Sequence, residues 1–453
     1  KISPILDEVK LELNFNTLNR MADFLRLADD PNLGSDAKLS LAISGWLMGP
    51  GEGTEKLAVA ASLHEVRDLV RGYLSGEQQE ERQAILKRLN VMEGATPANV
   101  ARLIAHMKPV KKTVAQESPI PGLMEMTVPG LEEDESFKYF VQLPPGYDPY
   151  RRYRCIVTLN GAGSSPLQQI DWWAGAFDEK KKLRLGQATR HGCIVIAPVW
   201  NRAYQSNYMY SAREHAAVLF AVRDACQRFS VDTDRIFLTG HSMGGDAAWD
   251  IGLAHPDLWA GVIPVVARAD KYVSRYWENG RQVPFYFVLG EMDGNSMADN
   301  ARDFNRYLTR QGFDTMIVEY RGRGHEHFQD EIHRMFEWMR LHQRDFFPQE
   351  FKSVTMRPWD NYFWWAELDG FPQRSVVIPL EWPVARARPA EAEGVIGENN
   401  RIRIRSSTSK VTVWLSPEMV DFQQRVYVTI NGKEVGQQVE ISLDALLEDV
   451  RTR

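Results

Sequence analysis

The stretch RIFLTGHSMGGDAAWDIGLAH, residues 235–255, sets Ser242 between Gly240 and Gly244 directly after an apolar run. A serine hydroxyl becomes a nucleophile only when a base takes its proton and an acid orients that base. Glycines on both sides suit a sharp strand-to-helix turn, where the backbone is strained and the helix must come close to the sheet. Ala247 and Ala248 keep that approach short. Two later segments supply the partners. EMDGNS, after the apolar run FYFVLG, offers Asp293; RGRGHEHF, after TMIVEY, offers His325 and His327. The order serine, acid, histidine is the one expected when each stands at the end of its own strand. His325 follows Gly324 and reads as the loop apex, so it is preferred as the base. His327 reads as already entering a helix whose core face is Phe328, Ile332, Met335, Phe336 and Met339. Glu291 and Asp299 are the fallback acids for Asp293.

Attack by such a serine builds negative charge on an oxygen, which needs preorganised donors. The backbone N–H of Met243, next to the nucleophile, is one candidate. The other is the backbone N–H of Ala162 in NGAGSS, where Gly161 and Gly163 let the loop close in. Aromatic residues fall in the loops that should roof the site. Trp172, Trp173, Trp200 and Tyr204 are the candidate substrate contacts, with Tyr208 and Tyr210 nearby; packing of a lid is the competing role. No metal and no cofactor are expected. The H-x-H of HEH is short, and no third and fourth ligands are evident beside it.

These loops need a scaffold. CIVTLN, CIVIAPV, RIFLTG, VIPVVA, FYFVLG and TMIVEY are short runs, apolar throughout, separated by helical segments. Such runs suit strands covered on both faces, joined by right-handed crossovers in a mostly parallel sheet. FKYFVQLPPGYDP alternates and then turns, as an edge hairpin strand would. The expected fold is therefore an α/β domain over residues 113–348, between a helical N-terminal domain (1–112) and a small all-β, sandwich-like domain (349–453). In the first, Thr96 and Pro97 start a helix with Val100, Leu103, Ile104 and Met107 on one face, and LHEVRDLVRGYL repeats the pattern. KPVKKTVAQESPIPG reads as the linker. In the last, KSVTMR, YFWWAEL, RSVVIPLEW, NRIRIRSS, KVTVWLS and RVYVTINGKEV read as strands, with a hairpin at Asn431–Gly432 and a final helix at SLDALLEDV. The chain stops so soon after that helix that a truncated C-terminus fits the pattern.

Composition bounds the partners. The chain has 453 residues, 44% of them hydrophobic, and a net charge of −6. That charge argues against nucleic acid or anionic lipid, both of which demand a basic face. No apolar stretch approaches the roughly 20 residues of a membrane helix. Three cysteines make no disulfide framework. The opening KISPIL lacks an initiator methionine, as a processed or trimmed chain would, and export is not legible from it.

VQLPPGYDPYRRYRCIVTLNGAGSS, VDTDRIFLTGHSMGG, FVLGEMDGN and YRGRGHEHF together resemble the α/β-hydrolase superfamily. More narrowly, they resemble secreted bacterial esterases grouped with polyhydroxybutyrate depolymerases and feruloyl or acetylxylan esterases, a group also labelled as peptidases. The resemblance covers roughly residues 120–345. It implies Ser242 as nucleophile, Asp293 as acid, His325 as base and the backbone at Ala162 and Met243 as oxyanion hole. It further implies a small or polymeric ester as substrate and a secreted or periplasmic location. One departure is Asn160–Gly161, where many relatives carry His-Gly; the backbone donors should survive it. The flanking domains lie outside the resemblance, and glycans or proteins are their expected partners. A peptidase with the same triad, or an inactive hydrolase-fold binding protein, are the alternatives. The large repeat-built propeller of prolyl-oligopeptidase-like enzymes has no counterpart, since nothing here repeats.

Overall fold

The structure is a computed structural model that describes residues 2–111, 113, 118–132, 135–294, 296–383 and 386–452. The expected linker therefore falls partly outside the described residues, at 112 and 114–117. Helices α1 (Ser3–Glu12), α2 (Ser35–Met48), α3 (Leu57–Ser75), α4 (Gln79–Leu89) and α5 (Pro97–His106) open the chain. The Thr96 side chain accepts from the Asn99 N–H, so the expected cap is present. Each helix turns an apolar face into one cluster that includes Ile43, Val66, Val70, Leu89, Val100 and Leu103.

An eight-stranded sheet follows. Its strands are β1 (Leu123–Pro129), β2 (Ser136–Gln142), β3 (Tyr153–Leu159), β4 (Ile194–Pro198), β5 (Val231–His241), β6 (Gly261–Val265), β7 (Phe285–Gly290) and β8 (Thr315–Tyr320), in the spatial order β1-β2-β4-β3-β5-β6-β7-β8. Every neighbour pair from β4 to β8 is parallel, while β2 pairs antiparallel with both β1 and β4. FKYFVQ is thus the second strand, not the edge; β1 covers it. TMIVEY ends the sheet as β8 and is only half-buried, since an edge strand lacks a neighbour on one side.

Helices cover both faces. On one lie α6 (Pro166–Ala174) and α10 (Ile332–Leu341), packing Ile170, Trp173, Met335 and Phe336 against β4 and β6. On the other lie α7 (Ala212–Arg228), α8 (Met243–Ala254) and α9 (Ser296–Thr309). The order reverses at β3 and β5: the chain leaves β3 for β4 on one side and leaves β5 for β6 on the other. The crevice beyond the carboxyl ends of these two adjacent strands is where an open α/β sheet places ligands.

After α10 the chain is mostly strand. A five-stranded sheet runs β9 (Glu350–Thr355), β11 (Ala390–Gly397), β12 (Arg401–Ser406), β14 (Val426–Ile430), β15 (Lys433–Gln437). A smaller sheet joins β10 (Ala366–Asp369) to β13 (Lys410–Val413) and to Tyr362–Phe363. Between them lie Phe351, Phe363, Trp364, Trp365, Leu368 and Ile402. Asn431 and Gly432 both adopt positive φ, as the tight turn between β14 and β15 requires. RSVVIPLEW is not a strand. Pro379 removes a ladder donor, and the segment makes two short 3₁₀ turns, while the unexpected strand is β11. The side-chain amide of Asn279 bonds the backbone of Val354 in both directions, tying β9 to the large sheet's layer.

The last helix, α11 (Leu443–Thr452), returns to the N-terminal helices. Leu443 and Leu447 enter the same cluster as α3, and the Tyr73 hydroxyl donates to Glu448 at 2.7 Å. Because Leu447 is fully buried there, Leu447→Ala should cost about 2–4 kcal/mol by urea denaturation, with loss of helix signal. A change under about 0.5 kcal/mol would mean that α11 does not hold the helical layer.

Candidate active site

Ser242 stands between β5 and α8 with φ 58° and ψ −124°. A non-glycine residue in this left-handed region costs of order 1–3 kcal/mol, so its surroundings must hold it. They do so through backbone. The Ser242 N–H donates to the Val265 carbonyl at 2.9 Å, and its own carbonyl accepts from Asp246 N–H at 3.0 Å to start α8. A methyl group on Gly240 would stand 1.9 Å from the Gly244 carbonyl oxygen, and one on Gly244 would stand 2.2 Å from that of Leu159. Only glycine fits either position.

The loop after β3 lies against this turn. A methyl group on Gly161 would reach within 3.1 Å of Ser242 Cβ and 2.8 Å of the His241 carbonyl. The Asn160 side-chain amide donates to the Ser164 carbonyl at 2.9 Å and to that of Gly161 at 3.2 Å, which curls the loop. Among the described residues the N–H groups of Ala162 and Met243 make no hydrogen bond. Met243 is the first residue of α8, so no intrahelical acceptor exists for its N–H.

Asp293 and His325 come together. Nδ1 of His325 bonds Oδ1 of Asp293 at 2.9 Å; the carboxylate is buried and the imidazole half-exposed. Their loops are joined along the backbone. Met292 N–H donates to the Arg323 carbonyl at 2.8 Å, Glu291 N–H to that of Tyr320 at 3.0 Å, and Glu291 Oε2 accepts from Gly322 N–H at 2.7 Å. Glu291 therefore serves this loop junction. Asp299 lies on α9 and is exposed to solvent in part. Among the described residues, no hydrogen bond joins Ser242 Oγ to His325.

The histidine next to the serine was not anticipated. His241 Nε2–H donates to the Glu326 carbonyl at 3.1 Å, and its ring stacks on His327 with centroids 3.7 Å apart and planes 7° from parallel. The His325 ring lies edge-on to it at 5.2 Å. Thus His327 packs beside the serine turn, on His241, while His325 holds the carboxylate. Burial, with His327 and His325 alongside, pushes the His241 imidazole down to about 3. Burial, assisted by the neighbouring His325, lowers His327 as well. Asp246, in the first turn of α8, is pushed up to about 7, chiefly by burial and against the pull of the Arg268 N–H. The position before the serine in GHSMGG was the available signal for His241; nothing in its type distinguished it.

The expected substrate aromatics divide. Trp173 is buried, its indole donating to Thr158 Oγ1 at 3.2 Å, and Trp200 is buried against Tyr208. Neither presents a face to solvent. Trp172 is half-buried, and Tyr204 is fully exposed at a loop tip with φ 62°. No helix among the described residues is long and apolar enough to cross a membrane.

No family model matches this chain, and no curated protein matches it. Solved structures superpose on about half of it. A thermostable esterase does so with TM-score 0.40 and 22% identity, over 50% of this chain and 64% of that one. The chain thus spans less than two thirds of that esterase. An S-formylglutathione hydrolase from Staphylococcus aureus gives TM-score 0.36 and 16% identity, over 48% of this chain and 98% of that one. A ferulic acid esterase gives 0.38 and 16%, over 48% and 96%.

The depressed His241 imidazole has a consequence for stability. Above the ordinary histidine pKa of about 6.5 the ring is neutral in both folded and unfolded chain. As pH falls from there toward 3, only the unfolded chain takes the proton, so stability is lost across that window. Between pH 6.5 and 5 the loss from this residue should be about 1–2 kcal/mol. Urea titrations of wild type and His241→Gln, which can keep the bond to Glu326, should differ by that slope. Parallel pH profiles would show that His241 is not held neutral.

Proposed function

We propose that the chain is an α/β-hydrolase-fold serine esterase that cleaves carboxylic esters through an acyl-enzyme. The observation that carries this reading is the meeting at one sheet edge of a strained serine turn and a hydrogen-bonded carboxylate–imidazole pair. Nδ1–H of His325 donates to Asp293, which leaves Nε2 to act as base. Nε2 takes the Ser242 proton as Oγ attacks the ester carbonyl. The tetrahedral oxyanion forms against the N–H groups of Ala162 and Met243, at the positive end of α8. Collapse expels the alcohol, which receives its proton from His325. Water, deprotonated by the same nitrogen, then releases the acid and restores Ser242. Trp172 and Tyr204, the two candidate aromatics with exposed surface, are the substrate contacts this reading keeps. Flat apolar faces at the mouth suit a sugar-linked, aromatic or polyester acyl group.

With p-nitrophenyl acetate or butyrate, Ser242→Ala should lower kcat/KM by at least about 10³-fold and abolish labelling by a fluorophosphonate probe. Equal hydrolysis by wild type and Ser242→Ala, both folded, would remove Ser242 from the mechanism. Two further variants separate the histidines and test the acid. His325→Gln and Asp293→Asn should each lose about 10³–10⁴ in kcat, whereas His327→Gln should lose far less. The reverse ranking of His325 and His327 would transfer the base to residue 327.

A further inference from the structure

A second cluster of titratable groups lies at the far end of α8. His255 caps that helix, His215 sits on α7, and Asp360 follows β9; all three are buried. His215 Nδ1 lies 3.1 Å from His255 Nε2 and 3.5 Å from Asp360 Oδ1, and His255 Nε2 lies 3.6 Å from that same oxygen. A point equidistant from three atoms so spaced is about 2.0 Å from each, the length of a Zn–N or Zn–O bond. The two rings cross at 67° with centroids 5.3 Å apart, so their nitrogens converge instead of stacking. We propose that His215, His255 and Asp360 form a buried site for a divalent transition metal, zinc by the chemistry of its donors.

Three observations bear on the assignment. Asp360 Oδ1 is buried and has no hydrogen-bond donor among the described residues, although Oδ2 is satisfied by Tyr276 and Arg357. An orphaned buried carboxylate oxygen is costly unless a cation faces it. Next, the outer contacts are those of a metal-bound histidine: His215 turns its other nitrogen, Nε2, to Asp250 at 3.1 Å, which fixes Nδ1 as the ligand atom. Asp250 is itself held by Arg357 and Tyr208. Lastly, a single guanidinium, Arg357, bonds both buried carboxylates, Asp250 and Asp360. Two carboxylates thus share one cationic side chain in a fully buried place, where a bound cation is suited. Two imidazoles and one carboxylate at tetrahedral spacing suit Zn²⁺ in preference to Mg²⁺ or Ca²⁺, which take oxygen ligands. The site joins α7, α8 and the segment after β9. It stands about 20 Å along α8 from Ser242, at about 1.5 Å per residue, so the ion has no part in acyl transfer.

The test uses the full chain, produced with zinc in the medium, and elemental analysis after gel filtration. The expected content is about one zinc per chain. Unfolding with a chelator and refolding should yield a metal-free protein with a lower Tm, restored by Zn²⁺, and Co²⁺ refolded in its place should give the visible absorption of a tetrahedral site. His255→Gln and Asp360→Asn should lose the zinc, while His325→Gln keeps it. A folded wild type that carries no zinc and has the same Tm with and without chelator would leave only a hydrogen-bonded network and overturn the proposal. So would zinc that His325→Gln abolishes and His255→Gln retains, since that places the ion beside the serine turn. None of these readouts depends on ester hydrolysis.

Discussion

The structure turns on how closely the backbone of the β5–α8 turn passes its neighbours. Gly240 meets the Gly244 carbonyl, Gly244 meets that of Leu159 on β3, and Gly245 would place a methyl group 2.6 Å from that of Val265 on β6. Three strands therefore converge on one turn without a side chain between them. The left-handed conformation of Ser242 follows, because no relaxed backbone threads that space. So does the position of the loop after β3, which can touch the serine only because Gly161 also lacks a side chain. Serine exposure, the free N–H at the start of α8 and the abutting N–H of Ala162 are thus three results of one steric condition.

The acid and the imidazole depend on a different kind of tie. Asp293 is buried, and its Oδ2 has no donor among the described residues, so the bond to the carboxylate comes from His325 at Oδ1. A carboxylate so placed holds the ring firmly, since among the described residues no other group bonds it. The loop that carries the ring is pinned on its other side by His241, which stacks on His327 and bonds the Glu326 carbonyl. Arg323 adds a bond to Glu326 at 2.6 Å within the same loop. The two histidines of HEH therefore divide the labour: His327 packs on His241, and His325 bonds Asp293.

How much of this was legible follows from the range of the forces involved. Strands β3 to β8 could be read because each is a short apolar run between helical segments, and the serine turn because glycine has few other reasons to flank it. Strand β1, LMEMTVP, carries too few contrasting residues to stand out; it is a strand because β2 lies beside it. RSVVIPLEW misled for the opposite reason. Val377 is buried but Ile378 and Leu380 are exposed, so its apolar content reflects one anchor and not a sheet face. Trp173 and Trp200 were read from their loops alone, and only packing decides whether an indole near a site faces in or out. The trio His215, His255 and Asp360 was invisible, because no local spacing links positions on two helices and a later loop.

The two ends of α8 show opposite electrostatic demands, and one helix meets both. Its N-terminus, with unpaired N–H groups, favours negative charge where an oxyanion would form beside Ser242. Its C-terminus leaves carbonyls that favour positive charge, and there the Arg357 guanidinium bonds Asp250, which lies on the helix itself, with His215 Nε2 3.1 Å from the same carboxylate. Arg357 belongs to the segment after β9, and its ring contacts with Tyr272 and Tyr276 hold that segment against the large domain. The all-β part of the chain thus supplies charge compensation to the helix that bears the serine. Removing it would strip a cation from the helix C-terminus and leave Asp250 buried without its arginine. On this ground the β-rich segment contributes to the stability of the layer that bears Ser242.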